Sequence, residues 1–276
     1  MEPGESRDHR PSPGSDEAAA ARQLSVQPDV RKRRAFWRSI PSAPRCKLCT
    51  SPFGGPAGAA LRLLGKGPWP GNPRYCRGCF KTLYTKRAGA EVECTLLFVD
   101  IRGSTGIAET MPAREYRILL DRFYATVMAA MVDREAVVDK FVGDEVIGIF
   151  IPALAGAEHA RAAVDAAVAV LQATGHGSDA PWIPVGAGLN TGTAYVGVVG
   201  TADHVEFTAL GDVVNTTARL ASAAGAGEVL VTDSAARASN LQVSRLERRH
   251  LDLRGKTEAT DVLVLTLAEA VSGNDA

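Results

Sequence analysis

The chain has 276 residues, of which 46% are hydrophobic and 22% charged, and its formal net charge is zero. That length holds one full-sized domain plus a smaller module, and the apolar share is ample for a packed core, which excludes a wholly disordered chain. No run of eighteen apolar residues occurs and the N-terminus MEPGESRDHR is polar, which excludes a spanning helix and a secretory signal and makes the cytoplasm the expected location.

The neutrality conceals three unlike segments. Residues 1–30 carry a charge of −3 and are rich in Pro, Gly, Ser and Ala without apolar period, so they read as a disordered tail. Residues 31–87 carry +14 with no Asp or Glu, and the remainder carries −11. Such a division marks separate modules with different partners. The basic segment begins VRKRRAFWRSI and continues into two C-x-x-C pairs, Cys46–Cys49 and Cys76–Cys79. Outside a secreted chain, paired C-x-x-C sites read as metal ligands rather than disulfides. Four thiolates suit a closed tetrahedral zinc site; an iron–sulfur cluster and a redox-active dithiol are the alternatives. The intervening GGPAG and PWPGNP stretches build no core, so a metal staple makes physical sense. Trp37, Trp69, Tyr75 and Phe80 read as packing around that staple, although aromatic rings among basic residues also stack on bases. The positive charge has three candidate partners: nucleic acid, an anionic membrane, or the acidic remainder of the chain, either within one copy or between two. The last is favoured, because Cys79 lies so close to the next predicted strand.

From Glu91 the pattern alternates strand and helix. EVECTLLFVD is a buried strand ending at Asp100, and Pro112–Val132 has helical apolar spacing at Tyr116, Leu119, Leu120, Phe123, Val127 and Met131. Cys94, within that strand, reads as a small buried residue rather than a fifth ligand. Ala136–Ile151 is a hairpin broken at Gly143-Asp144, and Gly156–Thr174 is an Ala-rich helix. Val185–Val199 is strand, Gly211–Ala223 helix, Glu228–Thr232 strand, and Leu251–Leu267 supplies the final strands. The sum is an α/β fold, an α+β sandwich with a small N-terminal metal-stapled module.

Two carboxylates stand where strands break into turns, Asp100 in LFVDIRGST and Asp144 in KFVGDEVIGIF. A strand-end Asp followed by Gly103-Ser104-Thr105 offers a hard oxygen ligand beside exposed backbone N–H groups, which suits a magnesium-bound triphosphate. Either Asp by itself reads as an ordinary turn residue. In EFTALGDVVNTTARLAS, Asn215 and Arg219 project from one helix face, and an amide with a guanidinium can grip a ribose and a phosphate.

Four ordered blocks, FVDIRGST, KFVGDEV, FTALGDVVNTTARLAS and LRGKTE, together resemble the catalytic domain of the class III adenylate and guanylate cyclases, over about Glu91 to Leu267. The resemblance implies a ferredoxin-like class III fold over residues 88–268, with 269–276 as a short tail. It implies two magnesium or manganese ions held at Asp100, Ile101 and Asp144, and triphosphate contacts from Gly103, Ser104 and Thr105. It assigns Asn215 to the ribose, Arg219 to charge growing on the α-phosphate, and Lys256 to the terminal phosphates. Lys140 and Thr208 occupy the base-reading positions. Lysine at the first is the adenylate cyclase choice, and the Lys/Thr pairing resembles bacterial members; Thr208 departs from the Asp of the vertebrate membrane enzymes. Ser104 departs from the Phe common in the metal-binding turn.

The implied activity is conversion of ATP to cyclic AMP and pyrophosphate. Lys140 precedes Asp144 by only four residues, too short a reach for opposite ends of one ATP. The family resolves this by dimerisation, each site taking its aspartates from one chain and its base, ribose and phosphate contacts from the other, so a homodimer is expected. Guanylate cyclase activity is one alternative. A catalytically weak cyclase-like domain regulating a nucleic-acid- or membrane-binding zinc module is the other.

Overall fold

A computed structural model describes residues 28–69, 72–79, 81, 89–178, 180–200, 205–252 and 259–272. The basic segment opens as helix α1 (Pro28–Arg38), three residues inside the stretch read as a tail. Helix α2 (Gly55–Leu63) and a two-stranded antiparallel ribbon, β1 (Pro68–Trp69) with β2 (Asn72–Cys76), complete the small module. Its core is little more than Cys46, Cys49, Phe53 and Cys76, with Leu48 and Cys79 at the margin.

The larger domain follows in chain order as β3 (Gly89–Ile101), α3 (Ser104–Thr110), α4 (Ala113–Val132), β4 (Val137–Val142), β5 (Glu145–Phe150) and α5 (Pro152–Ala155). It continues with α6 (His159–Thr174), β6 (Val185–Gly200), β7 (Val205–Leu210), α7 (Asp212–Ala223), β8 (Val229–Thr232), α8 (Asp233–Ala238), β9 (Glu247–Leu251), β10 (Thr260–Leu265) and α9 (Leu267–Ser272). Eight strands form one mixed sheet in the order β4-β5-β3-β6-β8-β10-β9, with β7 also on β6. The long strand β6 makes this branch possible. Ala187–Leu189 pair in parallel with β8, whereas Tyr195–Gly200 pair antiparallel with β7.

Both faces of the central strands are covered, which explains the unbroken apolar run LLFV. Leu97, Val99 and Ile101 face Phe123, Val127 and Met131 of α4 and Val164, Val170 and Leu171 of α6. Cys94, Leu96 and Phe98 point the other way, toward Ile149, Val196, Phe207 and the module's Tyr75. Cys94 is thus a fully buried core residue. Helix α7 packs so tightly on β6 that a Cβ on Gly188 would stand 2.5 Å from the Ala221 nitrogen, so only glycine fits there.

Several elements differ from the sequence reading. The final strands begin at Glu247 rather than Leu251, because the β9 pattern is half exposed and carries Arg248 and Arg249 within it. Strand β7 fills the stretch between Val199 and Gly211 to which the sequence reading assigned no element, its six residues being too few to show a period. Helix α9 runs to Ser272, into the stretch read as a tail. No described helix is long and apolar enough to cross a membrane.

Candidate functional site

Asp100, one residue before the end of β3, lies opposite Glu145 of β5, and the Ile101 N–H donates to the Asp144 carbonyl at 3.3 Å. Three carboxylates therefore gather around the β4–β5 turn. Burial pushes the Asp100 carboxyl up to about 6; Arg102 opposes this and Asp144 adds to it. Burial likewise pushes Glu145 up to about 7, with Asp100 and Asp144 repelling its charge. One guanidinium, that of Arg102, lies on Asp100 and also donates to the Ser222 carbonyl at 2.9 Å and the Ala224 carbonyl at 3.2 Å. Three acids facing one base leave uncompensated negative charge in a half-buried place, and hard oxygens are the donors that magnesium and manganese take. The donor set at Asp100, Asp144 and the Ile101 backbone fits such an ion. Gly103 follows at φ 69°, left-handed geometry that favours glycine, and α3 starts at Ser104 with no side-chain cap, so the first N–H groups of Ser104 and Thr105 face outward from it.

The turn that carries Asp144 is held from behind. Tyr124 of α4 stacks on Phe141 with ring centroids 4.2 Å apart and planes 6° from parallel, and its hydroxyl donates to the Gly143 carbonyl. In the sequence Tyr124 belonged to a helix face and Phe141 to a hairpin, with no signal that they meet.

Lys140 and Thr208 come together from β4 and β7 around the buried carboxylate of Asp139, which is 3% exposed. The Thr208 hydroxyl donates to Asp139 Oδ2 at 2.5 Å. Lys140 Nζ stands 3.8 Å from the same oxygen and 3.9 Å from Glu206 Oε2, and its side chain is 37% exposed. Lys47 of the cysteine module reaches the other oxygen, Oδ1, at 3.2 Å and also donates to the Asp139 backbone carbonyl. Asp139 and Lys47 carried no sequence signal, because 92 residues separate them.

Asn215 is exposed and Arg219 half-buried, one turn apart on α7, and neither side chain makes a hydrogen bond or ion pair with a described residue. No hydrogen bond or ion pair among the described residues joins Asp100 and Asp144 to Lys140 and Thr208, or either set to Asn215 and Arg219. Lys256 and Phe80 lie outside the described residues.

The four cysteines of the module converge. Their sulfurs all lie within 4.8 Å of one another, and those of Cys49 and Cys76 are 3.7 Å apart. Sulfurs about 2.3 Å from a tetrahedral zinc stand about 3.8 Å from each other, so the cluster has the size of such a site. The Cys76 N–H donates to the Cys46 sulfur at 3.3 Å, and the Cys79 N–H to the Cys76 sulfur at 3.4 Å. Hydrogen bonds from Cys46 and its neighbours pull the Cys49 thiol far below its ordinary range.

The basic module lies against the acidic domain through paired charges. Arg34 is fully buried, with Nε 2.7 Å from Glu135 Oε2, and Arg38 Nη2 is 2.6 Å from Oε1 of the same residue. Arg74 pairs with Glu206 at 3.7 Å, and Tyr75 accepts the Phe207 N–H at 3.2 Å.

A sequence profile of the adenylate and guanylate cyclase catalytic domain matches residues 87–266. An adenylate cyclase of Anabaena cylindrica is 28% identical over 183 residues, which is 61% of this chain and 36% of that enzyme, so the chain spans about a third of that relative's length. The adenylyl cyclase CyaB from P. aeruginosa superposes with a TM-score of 0.55 at 26% identity, over 64% of this chain and 95% of that one. The guanylyl cyclase Cya2 superposes with a TM-score of 0.57 at 23% identity, over 64% of this chain and 92% of that one, a likeness of fold alone.

Proposed function

Because this chain belongs to the adenylate and guanylate cyclase catalytic-domain family, we propose that it converts ATP to 3′,5′-cyclic AMP and pyrophosphate at sites shared by two copies of itself. The observation that supports this reading is the division of the expected groups into sets that no hydrogen bond or ion pair among the described residues joins directly. Asp100 and Asp144 gather at one turn, while Lys140 and Thr208 gather around Asp139, and the Asn215 and Arg219 side chains on α7 make no hydrogen bond or ion pair with a described residue. A site built from one copy is incomplete, and a second copy supplies the missing half.

In this reading Asp100, Asp144 and the Ile101 carbonyl hold divalent ions, whose chemistry when bound is to acidify the 3′-hydroxyl and neutralise the triphosphate. The N–H groups at Gly103, Ser104 and Thr105 cradle phosphate oxygens, and Lys256 takes the terminal phosphates. The 3′-hydroxyl loses its proton to water, its oxygen bonds to the α-phosphorus, and the bond from that phosphorus to the bridging oxygen breaks to release pyrophosphate. Asn215 orients the ribose, and Arg219 meets the charge that grows on the α-phosphate. Lys140 and Thr208 read the base. The cysteine cluster holds one zinc as the staple of a module whose own core is minimal. Zinc-bound thiolates in paired C-x-x-C sites suit a reducing compartment, and we place the protein in the cytoplasm.

The test is direct. Purified protein is incubated separately with ATP and GTP in the presence of manganese, and the products are separated and identified by mass. Cyclic AMP formed faster than cyclic GMP is the expected result; the reverse overturns the substrate assignment.

A further inference from the structure

We propose that Asp139 and Lys47 are positioning residues for base selection: they commit the Thr208 hydroxyl proton inward, so that Thr208 presents only lone pairs to the purine. This rests on the reading of Lys140 and Thr208 as the base-contacting pair.

The argument begins with the carboxylate. Asp139 sits two residues beyond Val137 on the same face of β4, and it is almost fully removed from water. A buried carboxylate must be paired and hydrogen-bonded to be tolerable. Lys47 Nζ serves Oδ1 at 3.2 Å, with its own side chain only 9% exposed, and Thr208 serves Oδ2 at 2.5 Å. An ionised carboxylate only accepts, so the hydroxyl must donate, and threonine has a single proton to give. What remains on the Thr208 oxygen is acceptor capacity.

That polarity distinguishes the two purines. Adenine carries an amino group, a donor, at the position where guanine carries a carbonyl, an acceptor. A hydroxyl restricted to accepting complements the amine and repels the carbonyl. The Lys140 ammonium donates only, and it can serve a ring nitrogen of adenine or the carbonyl of guanine, so it discriminates less. A Thr208 hydroxyl released from Asp139 could rotate and donate to guanine. Selectivity therefore depends on the partner behind the threonine.

Lys47 brings the cysteine module into this arrangement. It is the residue after Cys46, and its N–H is anchored to the Arg74 carbonyl at 2.8 Å. The same module holds β7 next to Thr208, where Tyr75 accepts the Phe207 N–H at 3.2 Å. The two strands that carry the base-contacting pair are thus both gripped from the cysteine module, one by a lysine between metal-ligand candidates and one by a tyrosine on the ribbon.

The experiment compares kcat/KM for ATP and GTP, with manganese, in the unaltered protein and in Asp139→Asn, Lys47→Met and Lys47→Arg. The amide that replaces the carboxylate in Asp139→Asn both donates and accepts, so this variant should lower the ATP:GTP ratio by about tenfold or more, with the GTP value itself rising. Lys47→Met should move the ratio in the same direction, and Lys47→Arg should keep it near the original. A merely structural role predicts something else, ATP and GTP values falling together at constant ratio, and that result overturns the proposal. Should Asp139→Asn fail to fold, Lys47→Met decides by the same criterion. Where turnover is too slow to measure, the Kd ratio for 3′-deoxy-ATP and 3′-deoxy-GTP, which lack the attacking hydroxyl, carries the same expectation. An unaltered protein that prefers GTP counts against the adenylate cyclase reading; one that prefers ATP, with variants that keep the preference, counts against this inference alone.

Discussion

The guanidinium of Arg102 lies on the carboxylate of Asp100 and, through its other nitrogen, on the carbonyls that end helix α7. One side chain thus ties the candidate metal turn to the helix that carries Asn215 and Arg219. It also sets a positive charge where a cation is expected to bind. Arg102→Ala should tighten manganese binding severalfold by removing that competitor, while costing about 1–2 kcal/mol of stability for the lost bonds to α7. Paramagnetic titration of manganese against both proteins reads the first effect and denaturant melts the second. Weaker manganese binding in the variant would show that Arg102 supports the site rather than competes in it.

Shared sites predict complementation. Asp100→Ala and Arg219→Ala homodimers should each be nearly inactive, for loss of the metal half and of the phosphate half respectively. In a mixed dimer one site draws Asp100 and Arg219 from the unaltered positions of the two chains, and the other lacks both. Random assortment makes about half the dimers mixed with one good site each, so co-expression should recover about a quarter of the original activity. Asp100→Ala with Asp144→Ala should recover none, since both losses fall on the metal half. Mixed dimers of the first pair that stay dead mean that each chain builds its own site.

Metal stabilisation should grow with pH. Asp100 is pushed up from 3.8 to about 6 and Glu145 from 4.5 to about 7, chiefly by burial. Folded carboxyls with raised values keep protons that the unfolded chain has lost. Their contribution is therefore present at low pH and disappears as pH rises through about 6 to 7. A divalent ion favours the ionised forms and offsets this loss. The rise in Tm on adding manganese should increase between pH 5 and 7.5, measured as a difference at each pH. Burial lowers the pKa values of His159 and His176, and their opposite trend cancels in that difference. A manganese shift that is flat across this range would remove Asp100 and Glu145 from the site.

The cysteine cluster should carry about one zinc per chain, released by Cys46→Ser, which loosens the module while the larger domain keeps its helical and strand signal. Metal analysis with circular dichroism tests both parts. A brown protein with iron and labile sulfide replaces zinc by a cluster.

The sequence by itself determined what short windows encode. Buried apolar runs placed β3 and the β4–β5 hairpin with its Gly143-Asp144 break, helical apolar spacing placed α4, alanine content placed α6, and β6 and α7 followed from the same strand–helix alternation, because each such signal repeats within a few residues. The turns at Asp100 and Asp144, the face shared by Asn215 and Arg219, and the paired cysteines were legible for the same reason: each motif spans less than one element. Only the tertiary structure decided which charges meet. Lys47 and Asp139 are 92 residues apart, and Arg34 and Glu135 are 101 apart. Such a contact depends on how β4 and the cysteine module pack, which no local pattern of apolar or charged residues specifies. A lysine in a +14 segment reads as solvated surface. It becomes the partner of a buried carboxylate only once the fold removes water from both.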